Sequence, residues 1–150
     1  MAAPVATGGP VLHLDLATEI DRLRRESCWS GGRDGKTLLK HGDFRLVLVV
    51  ARPGVRTRPH RVRGSVAVQV LEGRLRVQVL DEIRELTAGQ MLALDPNFPH
   101  GLDAMSECAF LLSIAWPGEP SPSTRRARRR AAARAALDDF DWERDESVWN

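Results

Sequence analysis

Few side chains in this chain are of types that could do chemistry. The two cysteines, Cys28 and Cys108, lie far apart and outside any Cys-x-x-Cys or Cys/His spacing, which argues against a zinc ribbon or a redox dithiol. Two of the four histidines, His60 and His100, are also far apart in the sequence. A lone histidine is usually a polar residue bonded to backbone or water. A shared role for these two requires a fold that brings them together.

Four arginines crowd the segment that carries His60, namely Arg56, Arg58, Arg61 and Arg63. Alternating charge of this kind is typical of a solvated strand face. Alternatively, one or two of them rim a binding site and attract an anionic ligand, because the guanidinium fork matches a carboxylate. Arg58 has the same parity as His60, so we expect it on the inward face, unlike Arg61 and Arg63.

The elements that must position these residues are mainly strands. Alternation of apolar residues predicts strands over 44–50, 65–71, 74–80, 82–86, 91–94 and 109–115. We expect Glu72-Gly73 to form a hairpin between the second and third of these. Leu75, Val77 and Val79 are then predicted to face inward. Short strands without room for crossover helices indicate an all-β class, an antiparallel barrel or sandwich.

One helix and two atypical ends flank these strands. Leu16, Ile20 and Leu23 have the spacing of an amphipathic helix of about three turns. Residues 1–13 are predicted to be a disordered lead. Residues 119–150 are predicted to form a linker, an Arg/Ala-rich helix without an apolar docking face, and an acidic tail. The acidic tail can neutralise the positive charge of the Arg-rich helix within the same chain. We therefore favour a charged segment that acts independently over an arm that binds nucleic acid.

Two stretches resemble the two sequence motifs of the cupin superfamily. The stretch PGVRTRPHRVRGSVAVQVLEGRLRV places Gly54, His60 and Gly73 at the spacing of the first motif. The stretch LTAGQMLALDPNFPHGLDA places Gly89 and His100 at the spacing of the second. The resemblance covers roughly residues 36–116.

The resemblance implies a double-stranded β-helix, which is the jelly-roll or RmlC-like cupin barrel. Residues 36–118 would form this barrel, and residues 14–35 the preceding helix and loop. His60 and His100 would then meet on neighbouring strands. Similarity to small single-domain cupins also implies a homodimer.

The chain departs from the family at the metal site that the resemblance implies. That site has three histidines and one carboxylate, whereas here Val62 stands at the second His position and Val66 at the Glu position. Two imidazoles alone bind a divalent transition metal weakly and leave its charge uncompensated. We therefore expect at most weak binding of Fe, Mn, Ni or Zn through His60 and His100. The predicted ligand-binding residues are His60, His100, Arg58, Val62 and Val66.

Composition narrows the remaining function classes. A hydrophobic fraction of 43% and a charged fraction of 28% are ordinary for a globular chain. The longest apolar run is too short to span a bilayer, and neither a signal segment nor a disulfide framework is evident, so we expect a cytoplasmic protein. A net charge of +2 gives no broad basic footprint, and we do not expect nucleic-acid binding.

The function we expect is non-catalytic binding of a small molecule inside the barrel. Two alternatives stay open. One is a metal-dependent cupin enzyme, a dioxygenase or an isomerase. The other is a regulatory protein whose barrel senses a ligand while its Arg-rich helix contacts nucleic acid or an acidic protein.

Overall fold

The computed structural model describes residues 11–116, which form one α-helix, a short 3-10 helix and eight β-strands. The elements are α1 (Leu16–Glu26), the 3-10 turn (Ser30–Gly32), β1 (Arg33–Lys40), β2 (Phe44–Ala51), β3 (Ser65–Glu72), β4 (Arg74–Val79), β5 (Glu82–Thr87), β6 (Met91–Leu94), β7 (His100–Ala104) and β8 (Cys108–Ala115). The predicted linker, Arg-rich helix and acidic tail lie outside the described residues, as do residues 1–10 of the predicted lead. No helix within residues 11–116 is long and apolar enough to cross a membrane.

The eight strands form two antiparallel sheets whose apolar faces share one core. The larger sheet has the order β1-β2-β8-β3-β6, and the smaller has the order β5-β4-β7. Segment 54–60 runs beside β7 through backbone hydrogen bonds and extends the smaller sheet. This arrangement confirms the predicted all-β barrel class, because side chains of β2 to β8 pack into one core between two facing sheets.

β2 shows how the sequence pattern sets the layers. Val47, Val49 and Ala51 face the barrel interior, where they pack with valines of β3 and with Leu75 and Val77 of β4. The alternate residues Leu46, Leu48 and Val50 face outward, where α1 covers them. A strand that is covered on both faces has a continuous apolar sequence, as β2 does.

Helix α1 is fixed to the outside of the larger sheet by apolar and ionic contacts. The side chain of Asp15 caps its first turn by accepting a hydrogen bond from the backbone N–H of Thr18 at 3.2 Å. Ile20 is buried against the outer face of the sheet. The buried carboxylate of Glu19 lies 2.8 Å from Nζ of Lys36 on β1. The predicted helix is confirmed, and it is anchored to the strand that follows it.

The hairpin predicted at Glu72-Gly73 is wrong, because β3 and β4 belong to different sheets. At Gly73 the chain crosses from one sheet to the other with a φ of 79°. A Cβ at this position would collide with the backbone carbonyl oxygen of Glu107 and with Cys108. Glycine is needed here for the left-handed backbone and for the close approach of two chain segments.

Two strands were not predicted from the sequence. β1 begins at Arg33, ahead of the predicted start of the barrel at residue 36, and its sequence RDGKTLLK lacks a clear apolar alternation. β7 begins at His100 itself, and Gly101 and Asp103 interrupt its apolar pattern. Both strands are defined by pairing with distant partners, β2 and β4, rather than by local periodicity.

Candidate functional site

His60 and His100 lie directly opposite each other in neighbouring chain segments. Each backbone N–H donates to the carbonyl of the other residue at 2.9 Å, so the two side chains emerge on the same face of the sheet. The ring centroids are 4.4 Å apart, and the ring planes are inclined by 56°. The prediction that these histidines meet is confirmed. We call His60, His100, Val62 and Val66 the histidine site.

The histidine site faces the barrel interior. His100 lies on the same face of β7 as Leu102 and Ala104, which belong to the interior core, and it is only 4% exposed. His60 has the parity of the core residue Val62 and is partly exposed. The pair therefore consists of one buried and one partly exposed imidazole on the interior face.

Backbone carbonyls fix the tautomer of both imidazoles. Nδ1 of His60 lies 3.2 Å from the carbonyl oxygen of Arg58, and Nδ1 of His100 lies 3.0 Å from that of Phe98. Because a carbonyl oxygen only accepts, Nδ1 carries the proton in each neutral ring. Nε2 is then the acceptor atom of each imidazole.

Burial keeps the pair neutral. Desolvation and the neighbouring His100 lower the pKa of His60 from 6.5 to about 4, with a smaller contribution from the positive charge of Arg33. Desolvation also lowers the pKa of His100, although its hydrogen bond to Phe98 opposes the change. Near neutral pH the site therefore presents two uncharged imidazoles.

The two family positions occupied by valine contribute apolar surface and no donor atom. Val62 is 6% exposed and Val66 is 4% exposed, and both belong to the interior core. Within residues 11–116, no group of three or more His, Cys, Asp or Glu side chains lies close enough together to hold a metal ion. These residues do not fit the metal centre of three histidines and one carboxylate that the fold family implies.

The arginines near His60 are placed less regularly than their parity suggests. Arg56 pairs with Asp103 and His60 pairs with His100, so the register changes by one residue between the two bridges. The side chain of Arg56 lies 3.7 Å from the carboxylate of Asp103 and is mostly exposed. Arg58 has an exposed side chain and contributes its backbone carbonyl to His60. Its predicted role in ligand binding stays a prediction.

Arg33 is a charged residue near the histidine site that the sequence reasoning did not select. It pairs with Ala51 of β2 and so shares the interior face of the larger sheet. Burial lowers the pKa of its guanidinium, and its charge acts on His60. The signal that reveals Arg33 is its register with β2, which is not present in the local sequence of β1.

The two cysteines lie outside this site and are not bonded to each other. Cys108 belongs to the interior core, and burial raises the pKa of its thiol to about 11. A thiol with a raised pKa is a poor nucleophile because little thiolate forms at neutral pH. Cys28 is exposed.

Comparison with known proteins identifies the fold. No protein-family model matches the sequence, and no curated protein matches it either. Among solved structures, a conserved protein of unknown function from Streptococcus pyogenes is 19% identical with a TM-score of 0.61, over 78% of this chain and 97% of that one. An RmlC-like cupin from Shewanella frigidimarina is 24% identical with a TM-score of 0.56, over 60% of this chain and 81% of that one.

A third structure supports the same fold. It is a cupin-2 domain containing protein from Shewanella frigidimarina, 18% identical with a TM-score of 0.57, over 68% of this chain and 93% of that one. The molecule is thus a small antiparallel β-barrel with one external helix. Its barrel is of the RmlC-like cupin type, as the sequence motifs predicted.

Proposed function

We propose that this chain is a ligand-binding cupin-fold protein that holds a small molecule at the histidine site. The observation that carries the proposal is the pair of neutral imidazoles, 4.4 Å apart, at the edge of a valine-lined interior. Small-molecule sites are usually apolar and carry a few convergent polar groups that fix the orientation of the ligand. The histidine site has this composition.

A tightly bound catalytic metal is not part of the proposal. The two valines leave two imidazoles as the donors, and the charge of Arg33 acts on His60 and opposes a second cation there. We expect at most weak binding of a divalent metal through the two histidines. Metal analysis of protein purified without chelators tests this point. Stoichiometric metal that is lost in His60→Ala and His100→Ala would instead favour the alternative of a metal-dependent enzyme.

The experiment for ligand binding is a nuclear magnetic resonance titration with a panel of small metabolites. A true ligand is expected to shift the ring signals of both His60 and His100 and to lose affinity in His100→Gln. His41→Gln is the matched control, because His41 is exposed on the turn after β1. The proposal fails if no compound in the panel binds, or if binding leaves both site histidines unchanged.

Three further expectations remain predictions. Light scattering of the full chain tests the homodimer implied by the resemblance. Fractionation of the native cell tests the cytoplasmic location. Deletion of residues 119–150 tests the regulatory alternative, which requires salt-sensitive partner binding to disappear with that segment.

A further inference from the structure

Arg33 differs from the other arginines of residues 11–116 that have a buried side-chain nitrogen. Nη1 of Arg33 is buried and has no hydrogen-bond partner among residues 11–116. Arg24 pairs with Glu72 through Nη1 and with Glu107 through Nε, and Arg76 pairs with Glu85 through Nη2. The guanidinium of Arg45 lies 5.4 Å from the centroid of the Trp116 ring. Within residues 11–116, Arg33 makes neither an ion pair nor a contact with an aromatic ring.

The position of Arg33 directs this donor toward the barrel interior. It begins β1 and pairs with Ala51, which is 4% exposed and belongs to the interior core. Gly35 and Thr37 follow on the same face, opposite Val49 and Val47. The positive charge is close enough to His60 to act on that ring. Ala51 belongs to the same interior core as Val62 and Val66 of the histidine site, so Arg33 and that site belong to one inward-facing region.

A guanidinium nitrogen removed from water needs an acceptor. Burying a donor without a partner destabilises a protein, and the loss is larger when the group is charged. Native proteins satisfy most buried polar groups for this reason. A bound anion supplies both the missing acceptor and the opposite charge, and a carboxylate also matches the geometry of the guanidinium fork.

The tautomer of His100 determines which group of the ligand can hydrogen-bond to its Nε2 atom. Its Nδ1 donates to the carbonyl of Phe98, so its Nε2 accepts. A bare carboxylate has no hydrogen to give to this atom and would be repelled by its lone pair. A hydroxyl group donates to it without a change in the protonation of the ring.

We propose that Arg33 binds the carboxylate of a small hydroxycarboxylic acid whose hydroxyl group donates to Nε2 of His100. This inference rests on the proposed function, because it names the chemical class of ligand that the histidine site takes. Arg33 then selects ligands that carry a negative charge, and His100 selects ligands that carry a hydroxyl group.

Three four-carbon probes separate these two requirements. Malate carries carboxylates and a hydroxyl group, succinate carries carboxylates alone, and erythritol carries hydroxyl groups alone. Malate is expected to bind more tightly than either of the others in calorimetric titration of the full chain. Arg33→Gln is expected to weaken malate binding by about ten- to a hundred-fold, the range for loss of a hydrogen bond to a charged group.

The matched control is Arg84→Gln, which removes the same charge from an exposed position on β5. It is expected to leave malate affinity unchanged. In the unmodified chain, malate is also expected to shift the Nε–Hε signal of Arg33, a measurement that does not depend on the folding of a variant.

Each other outcome overturns a defined part of the inference. If malate binds the Arg33→Gln variant as tightly as the unmodified chain, or leaves the Arg33 signal in place, Arg33 is not the anion-binding residue. Equal affinities for malate and succinate overturn the role of the hydroxyl group. If none of the probes binds while another compound of the metabolite panel shifts His60 and His100, this inference fails and the proposed function stands.

Discussion

Acidification is expected to destabilise this fold through the His60–His100 pair. The pKa of His60 falls from 6.5 to about 4 on folding, chiefly by desolvation, and that of His100 is also lowered. Between these two pH values the unfolded chain binds a proton at residue 60 and the native chain does not. Protons therefore favour the unfolded state in this window, and stability rises with pH across it.

The magnitude follows from the pKa of His60. A difference between 6.5 and about 4 corresponds to about 3 kcal/mol, at about 1.4 kcal/mol per pH unit. This contribution is present above pH 6.5 and is lost as the pH falls to about 4, below which His60 adds no further change. His100 acts in the same direction. Since small domains are stable by about 5 to 15 kcal/mol, the loss is a substantial fraction of the total.

Urea unfolding at a series of pH values measures this effect, with tryptophan fluorescence as the signal. His60→Gln is expected to flatten the dependence of the unfolding free energy on pH, because the amide does not titrate. His41→Gln, a substitution at an exposed turn residue, is expected to retain the full slope. An unfolding free energy that is constant across the window, or an unchanged slope in His60→Gln, would refute the claim that the ring is buried in its neutral form.

Two further variants test the sheet crossing and the lost metal ligands. Gly73→Ala places a Cβ against the carbonyl of Glu107 at a φ of 79°, so we expect a loss of about 2 kcal/mol or more in unfolding free energy. Gly42→Ala, where a Cβ meets nothing within 4 Å, should change stability by about 0.5 kcal/mol or less, and equal losses would contradict the steric argument. V62H/V66E restores the imidazole and carboxylate of the family motif, and its Tm should rise on addition of zinc while that of the unmodified chain stays constant. A zinc response that is the same in both proteins would show that these positions do not converge on the histidines.

Much of the barrel could be predicted from the sequence because its interior strands alternate cleanly. β4 places Leu75 and Val77 on the predicted inward face, and the two motif histidines meet as expected. The partner of a strand is harder to predict. A Glu-Gly pair between two alternating strands favours a hairpin locally, whereas here contacts with residues 107 and 108 make Gly73 a crossing between sheets.

The sequence likewise predicted only part of the candidate site. His60 and His100 were identified because the family motif fixes their relation, and Val62 and Val66 showed which donors are missing. Arg33 could not be identified in this way. Whether its side chain faces the interior or α1 depends on the register between β1 and β2, and a slip of one residue would reverse the answer.

Strand β2 is covered on both faces, so we expect it to be the last part of residues 11–116 to unfold. Its backbone amides lie between β1 and β8, and its side chains are covered by the core on one face and by α1 on the other. The amide hydrogens of Val47 to Val50 should therefore exchange with solvent only through global unfolding. Segment 54–60 is held beside β7 by isolated bridges, so its amides should exchange through smaller openings. A ligand could enter beside His60 while the larger sheet stays intact.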